Sequence, residues 1–139
     1  DMLKKFKQGV AENVEDEDYQ SHYDLGVAYK EMGVVDGAIA GFQKALRGPD
    51  NRVKVYEAIG QCFIEKGQNG MAATILARAL GEKGQSDDAL VGVLYLLGRA
   101  NEALGKGEEA LTYYQRVFVV DIQFHDVADR LNALENATR

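Results

Sequence analysis

Apolar residues recur at helical spacing along most of this chain, and short polar stretches that contain glycine separate them. Three such segments align with one another, running from His22 to Leu46, from Tyr56 to Leu80 and from Leu94 to Phe118. The first two segments are 34 residues apart, and the third follows after 38 because the linker over 81–88 is longer. Apolar residues at this period predict amphipathic helices, and self-similarity at a fixed offset indicates repeats. Each segment is therefore predicted to form a helix-turn-helix hairpin.

Small residues occupy matching slots in all three segments. Glycine inside a helix costs about 0.5–1 kcal/mol relative to alanine, so its use at one slot of every first helix implies a close approach of the second helix. Another glycine is predicted to end each first helix in the left-handed conformation. The helix-interior glycines are Gly26, Gly60 and Gly98, the facing alanines Ala38, Ala72 and Ala110, the filling residues Phe42, Leu76 and Tyr114, and the turn glycines Gly33, Gly67 and Gly105.

Both ends of the chain carry further helical patterns. Met2–Val14 has apolar residues at helical spacing and predicts an amphipathic helix. The acidic run over 15–18 is interpreted as a linker that complements the N-terminal dipole of the next helix, and the alternative is a site for a basic partner or a cation. After Asp121, a stripe predicts a helix that closes the open end of the array, made of Phe124, Val127, Leu131 and Leu134. Residues 117–122 are β-like in propensity, but the repeat alignment predicts helix for Val117 and Phe118.

The slots of the first segment resemble the tetratricopeptide signature W-x2-L-G-x2-Y, then A-x3-F, then A and P. They are filled by His22, Leu25, Gly26, Tyr29, Ala38, Phe42, Ala45 and Pro49. His22 and, in the third segment, Asn101 depart from the usual aromatic residues. The resemblance implies one all-α domain, a right-handed α-α solenoid of three repeats flanked by N- and C-terminal helices. Its parts are predicted at 1–17 (helix and acidic linker), 18–51, 52–88 and 89–121 (repeats), and 122–139 (closing helix).

Charge and composition narrow the function. The net charge is −6 over 139 residues, which disfavours nucleic acid as a partner because phosphate binding relies on Lys and Arg. No apolar run approaches the roughly 20 residues of a membrane span, so no membrane insertion is expected. The single cysteine, Cys62, excludes an intramolecular disulfide and fits a cytoplasmic location.

Little in the sequence indicates catalysis. His22 and His125 are predicted at opposite ends of the array, and no metal-ligand cluster is visible. Cys62 occupies the slot that holds Ala28 and Ala100 in the other repeats, which indicates a small buried residue at a helix contact. We therefore expect no enzyme activity, no metal and no cofactor.

The resemblance implies a groove lined by the first helix of each repeat, where a protein or peptide partner binds. Its slots hold Gln20, Tyr23, Val27, Lys30, Glu31, Lys54, Glu57, Gln61, Ile64, Glu65, Gly92, Tyr95, Arg99, Glu102 and Ala103. The predicted partner-binding residues among them are Tyr23, Val27, Lys30, Lys54, Glu57, Gln61, Tyr95 and Arg99. Two interpretations of Val91, Gly92 and Tyr95 remain open, an apolar contact in the groove or burial beneath the closing helix.

The same resemblance suggests what the partner is. Related co-chaperones hold a C-terminal carboxylate with Lys and Asn at slots that here are Tyr23 and Val27, so that ligand is not expected, although Lys54 and Arg99 remain able to hold an acidic group. The leading hypothesis is a scaffold or adaptor, similar to modules of bacterial polar, pilus or motility assemblies. The alternatives are a secretion chaperone of the same class and a module that self-assembles into a homo-oligomer through its terminal helices.

Overall fold

The computed structural model describes residue 15 and residues 17–137, and within that part of the chain every regular element is a helix. The predicted helix over Met2–Val14 lies outside the described residues. The helices are α1 (Tyr19–Glu31), α2 (Val35–Ala45), α3 (Arg52–Glu65), α4 (Asn69–Ala79), α5 (Val91–Ala103), α6 (Gly107–Val120) and α7 (Val127–Ala137).

The helices form three hairpins that stack in chain order. The pairs α1–α2, α3–α4 and α5–α6 pack most closely, and the second helix of each of the first two hairpins then packs against the first helix of the next. The helix α7 lies against α6. Since each element contacts mainly its neighbours in sequence, the array is a helical solenoid, as the spacing of the segments predicted.

The shared small residues do what the pattern predicted. A Cβ atom added to Gly26 would lie 2.6 Å from the Phe42 ring, and one added to Gly60 or Gly98 would overlap the large side chain that faces it on the second helix. Gly33 has φ +78°, and the turn glycines of the other hairpins are also left-handed. The two helices of each hairpin therefore touch through a glycine, and the turn between them uses a conformation that side chains with a Cβ rarely adopt.

The two residues that depart from the signature, His22 and Asn101, are both buried. His22 is 1% exposed and fills the slot of the usual aromatic residue. The buried Asn101 side chain donates from Nδ2 to the Leu97 carbonyl oxygen at 2.8 Å, which satisfies it within its own helix. Cys62 is fully buried between helices, as its slot predicted.

Polar contacts fix the ends and linkers of the array. The Asp18 carboxylate caps α1 by accepting from the Ser21 amide at 3.1 Å, which agrees with the linker interpretation of the acidic run. The longer linker before α5 is held down by Arg116 of α6, whose Nη2 donates to Asp87 at 2.8 Å.

The C-terminal end closes as expected, with one addition. The helix α6 continues to Val120 despite the β-like propensity there. Val127 and Leu131 of α7 are buried, as the predicted stripe requires, whereas Phe124 of the same stripe lies before the helix begins. The residues over 121–126 form a non-helical segment between α6 and α7, in which His125 is left-handed with φ +46°. We call this stretch the closing segment.

Candidate functional site

A cleft of about 360 Å³ lies between α1 and α3, on the side formed by the first helices of the hairpins. Six of the eight predicted partner-binding residues line it together: Tyr23, Val27, Lys30, Lys54, Glu57 and Gln61. Glu31 and Glu65, also predicted at groove slots, lie on its rim. The structure therefore gathers most of the predicted residues of the first two repeats around one cavity.

The cleft exists because the first helices are unevenly spaced. The helix α3 packs more closely against α5 than against α1. Gly92 permits the closer contact, since a Cβ atom added to it would overlap the Glu57 carboxylate. The wider space on the other side of α3 is left open to solvent and forms the cleft.

Tyr23 forms the aromatic wall of the cleft. Its ring contacts the Phe42 ring at a centroid distance of 5.4 Å, and the Lys54 ammonium lies over it at 4.7 Å. An ammonium above an aromatic face is a cation–π contact, which holds both side chains in place. Burial, and secondarily the charge of Glu57, raises the pKa of the Tyr23 hydroxyl, so it stays a neutral donor.

Glu57 places a carboxylate at the centre of the site. The side chain is half-buried, and it makes no hydrogen bond to any other described residue. Burial raises its pKa, while the charges of His125, Lys30 and Lys54 partly offset that effect. A carboxylate in this position is able to accept hydrogen bonds from a ligand.

Lys30 supplies a second cation at the other end of the cleft. Its ammonium lies 3.8 Å from a Glu65 carboxylate oxygen, and both side chains are partly exposed. Such an exposed pair is worth about 1 kcal/mol or less, so a ligand carboxylate can compete for the lysine.

The third repeat is different, and the prediction for Tyr95 needs correction. Tyr95 is only 8% exposed. The closing segment covers it, with the ring centroids of Phe124 and His125 at 5.6 and 4.9 Å. For Tyr95, burial is the one of the two interpretations that the structure has, whereas Val91 and Gly92 are only half-buried. Arg99 is half-buried on α5 and does not line the cleft.

A polar network holds the closing segment over the part of the groove at Tyr95. The Tyr95 hydroxyl donates to Asp126, and Arg130 bridges Asp126 and Glu102 with hydrogen bonds of 3.0 Å to each. The Tyr114 hydroxyl donates to Glu102 at 2.9 Å. Glu102, predicted at a groove slot, is therefore already paired inside the protein.

Sequence reasoning missed the residues that complete or cover the site. Phe42 and Ala58 contribute apolar surface to the cleft, and Phe124 and His125 cover the third repeat. Phe42 was identified only as a packing residue. The adjacent aromatic residues Phe124 and His125, directly before the closing helix, were the available signal. The sequence around them does not show that they pack over Tyr95.

The described residues contain no group of three or more His, Cys, Asp or Glu side chains placed to hold a metal ion. In the same part of the chain, no helix has the length and apolar character needed to cross a membrane. The Cys62 thiol is buried, which raises its pKa and disfavours the reactive thiolate.

Comparison with known proteins agrees with this architecture. The model of the family "Tetratricopeptide repeat" matches residues 20–47 and 93–118, the first and third hairpins. The first tetratricopeptide domain of Spaghetti (RPAP3), solved with the HSP90 peptide SRMEEVD, is 19% identical with a TM-score of 0.75, over 90% of this chain and 96% of that one. No curated protein matches the chain in sequence.

Two further solved structures have the same fold. The tetratricopeptide domain of Arabidopsis OM64 gives a TM-score of 0.77 at 16% identity, covering 88% of this chain and 98% of that one. MamA gives 0.78 at 16% identity, covering 98% of this chain and 76% of that one. The family model thus matches the first and third hairpins, and the solved structures share the helical-repeat fold of the whole stack.

Proposed function

We propose that this chain is a protein-interaction module that binds an extended segment of a partner protein in the cleft between α1 and α3. The observation that carries the proposal is the convergence of six predicted groove residues on one solvent-open cavity. Concave sites with apolar walls and a few directed polar groups are the usual ligand sites of proteins. The structural relatives include one solved with a bound peptide, which supports the same role.

The chemistry of the cleft suggests the kind of segment that fits. An apolar side chain of the partner can pack against the surface formed by Val27, Ala58 and the Tyr23 ring. Glu57 accepts from a ligand amide or cation, and Lys30 and Lys54 pair with acidic groups. We infer a mixed segment with at least one acidic and one apolar side chain. A terminal carboxylate clamped as in HSP90 peptides is not expected, because Tyr23 and Val27 stand at the clamp slots.

We further infer that the module is part of a larger scaffold or adaptor, with a cytoplasmic bacterial polar, pilus or motility assembly as its setting. The resemblance of the first repeat to such modules supports this setting. A secretion chaperone would hold its substrate unfolded, so the folded state of the captured partner separates these two roles.

Site-specific photo-crosslinking tests the proposed cleft. A benzoylphenylalanine in place of Val27 lies in the cleft, whereas one in place of Ala77 is exposed on α4. We expect a crosslinked partner from the Val27 position and none above background from the Ala77 position. Mass spectrometry then identifies the crosslinked segment of the partner.

A second variant checks that the capture is specific. Lys54→Ala with Tyr23→Ala removes the cation–π pair and should reduce crosslinking about tenfold, since Tyr and charged anchors carry much of the energy of an interface. Arg99→Ala serves as the matched control and should leave the yield unchanged. Crosslinking that is equal at both positions, or that depends on Arg99 and not on Lys54, would overturn the proposal.

A further inference from the structure

Glu57 places a carboxylate at a slot that tyrosine fills in the other two repeats. The equivalent residue of the first helix is Tyr23 in the first hairpin and Tyr95 in the third. The Glu57 side chain points across to α5, where its carboxylate fills the space that the missing Cβ atom of Gly92 leaves. It lines both the cleft between α1 and α3 and a second cleft beside the linker that precedes α5. The carboxylate is therefore held near the middle of the groove.

This carboxylate lacks a hydrogen-bond donor among the residues that the structure describes. The charges of Lys30, Lys54 and His125 act on it, but burial outweighs them and raises its pKa. A partly buried charge without a donor is costly, and a charged donor forms the stronger kind of hydrogen bond with a carboxylate. A basic side chain of the partner would therefore be favoured at Glu57.

The charge balance of the cleft disfavours a purely acidic ligand. Three carboxylates but only two ammonium groups line it, which belong to Glu31, Glu57, Glu65, Lys30 and Lys54. An acidic segment would pair with the lysines but would be repelled by Glu57. Complementary charges along the whole cleft require both signs on the same segment.

The two lysines lie toward opposite ends of the cleft. Lys54 is level with Tyr23, because its ammonium lies 4.7 Å from the centre of that ring. Lys30 is level with Glu65, at 3.8 Å from its carboxylate. At the rise of an α-helix, Tyr23 and Lys30 are about 10 Å apart along α1, and Lys54 and Glu65 are about 16 Å apart along α3. Glu57 follows Lys54 by roughly one turn and so lies between the two lysines.

We infer that the partner segment is extended and carries the pattern acidic-x-basic-x-acidic, with its basic side chain at Glu57. The inference rests on the proposed binding of a partner segment in this cleft. Every second side chain of an extended chain points to the same face, and four residues span about 13 Å, which lies within the separation of Lys30 and Lys54. The pattern reads the same in both chain directions, so it applies to either orientation of the segment.

Fluorescence anisotropy with labelled synthetic peptides tests the pattern. The matched peptide has the core Glu-Leu-Lys-Leu-Glu, with leucine as the apolar residue. The peptide Leu-Glu-Lys-Glu-Leu has the same composition but places its acidic side chains on the face opposite the lysine, and Glu-Leu-Gln-Leu-Glu lacks the basic residue. The wild-type protein should bind the matched peptide about tenfold more tightly than either of the others, in the range of one charge-assisted hydrogen bond.

Three variants assign the preference to Glu57. Glu57→Gln keeps the size of the side chain and should abolish the preference for lysine over glutamine in the peptide. Glu109→Gln is the matched control, because Glu109 is exposed on α6 outside the cleft, and it should keep the preference. Lys54→Ala should weaken the binding of the matched peptide. Circular dichroism checks that each variant is folded.

The outcomes separate this inference from the proposed function. Equal binding of the lysine and glutamine peptides, with Lys54→Ala weakening both, would overturn the pattern and leave the cleft as the binding site. A preference that survives Glu57→Gln, or a wild type that binds none of the three peptides, would also overturn the pattern. Crosslinking from the Val27 position tests the cleft separately, and a crosslinked segment without a basic residue flanked in this way would contradict the pattern alone.

Discussion

Tyr23 and Tyr95 hold the same slot in the first helices of their hairpins, yet their surroundings are opposite. Tyr23 is half-buried at an open cleft, with the Phe42 ring beside its ring and the Lys54 ammonium over it. Tyr95 is enclosed by Phe124 and His125 and hydrogen-bonded to Asp126. One half of the groove is therefore open and the other half is covered.

The difference shows that a slot in the repeat fixes the direction of a side chain but not its exposure. The exposure of the side chain depends on the element that lies next to each first helix on the groove side of the stack. For Tyr23 that element is α3, which lies closer to α5 than to α1 and leaves a gap. For Tyr95 it is the closing segment, which no other hairpin has. Equivalent residues in a solenoid should thus be compared with their neighbours before they are assigned to a binding surface.

The largest effect should come from removing the covered tyrosine. Tyr95→Ala should lower the free energy of unfolding by about 3 kcal/mol. The substitution leaves a cavity among aromatic rings and removes the hydroxyl that donates to Asp126. Tyr23→Ala, the matched change in the open half, should cost about 1 kcal/mol or less. Urea denaturation followed by circular dichroism measures both, and equal losses would contradict the proposed asymmetry.

A second test concerns the close contact between the two helices of a hairpin at its shared glycine. Gly60→Ala should destabilise the fold by about 2 kcal/mol, because its Cβ would overlap Leu76 of α4. Gly70→Ala is the control, since nothing lies within 4 Å of the added atom. Thermal melting of the two variants should separate clearly. If Gly60→Ala melts with the control, the hairpin contact is looser than described.

The aromatic residues of the closing segment that cover Tyr95 can be removed. Phe124→Ala with His125→Ala should cost about 1 kcal/mol, in the range of aromatic pair contacts, and leave the three hairpins folded. Tyr95 should then react with tetranitromethane at a rate near that of Tyr23. Continued protection of Tyr95 would mean that some other element covers it.

The smallest effect should be a pH dependence from Asp126. Burial raises its pKa, but the hydrogen bond from Tyr95 and the charge of Arg130 outweigh burial and hold it below the usual 3.8. A carboxyl whose pKa falls on folding stabilises the protein above the unfolded value, near 4, and loses that contribution as the pH falls. Asp126→Asn should cost less than about 1 kcal/mol at pH 7, because the side chain is partly exposed, and the cost should be smaller at pH 3 than at pH 7. An equal cost at both pH values would contradict this.

Much of the fold was predictable because it rests on local, repeated demands. Glycine at Gly26 or Gly60 reports a close helix contact whatever surrounds it, and left-handed turns require residues such as Gly33. The cover of Tyr95 was not predictable, since it depends on contacts across some 30 residues and on a left-handed His125, a conformation that the sequence does not signal. For the same reason, the sequence predicted that the cleft residues occupy groove-facing slots, but it did not predict the open space between α1 and α3.

The central claim is that the groove is open between α1 and α3 and covered at α5. Hydroxyl-radical footprinting read by mass spectrometry tests it directly, in the free protein and with the crosslink-identified partner segment added. Tyr23 should be modified readily in the free protein and protected by the partner, whereas Tyr95 should be protected in both. Ready modification of Tyr95 in the free protein, or a partner that protects Tyr95 and not Tyr23, would contradict the account.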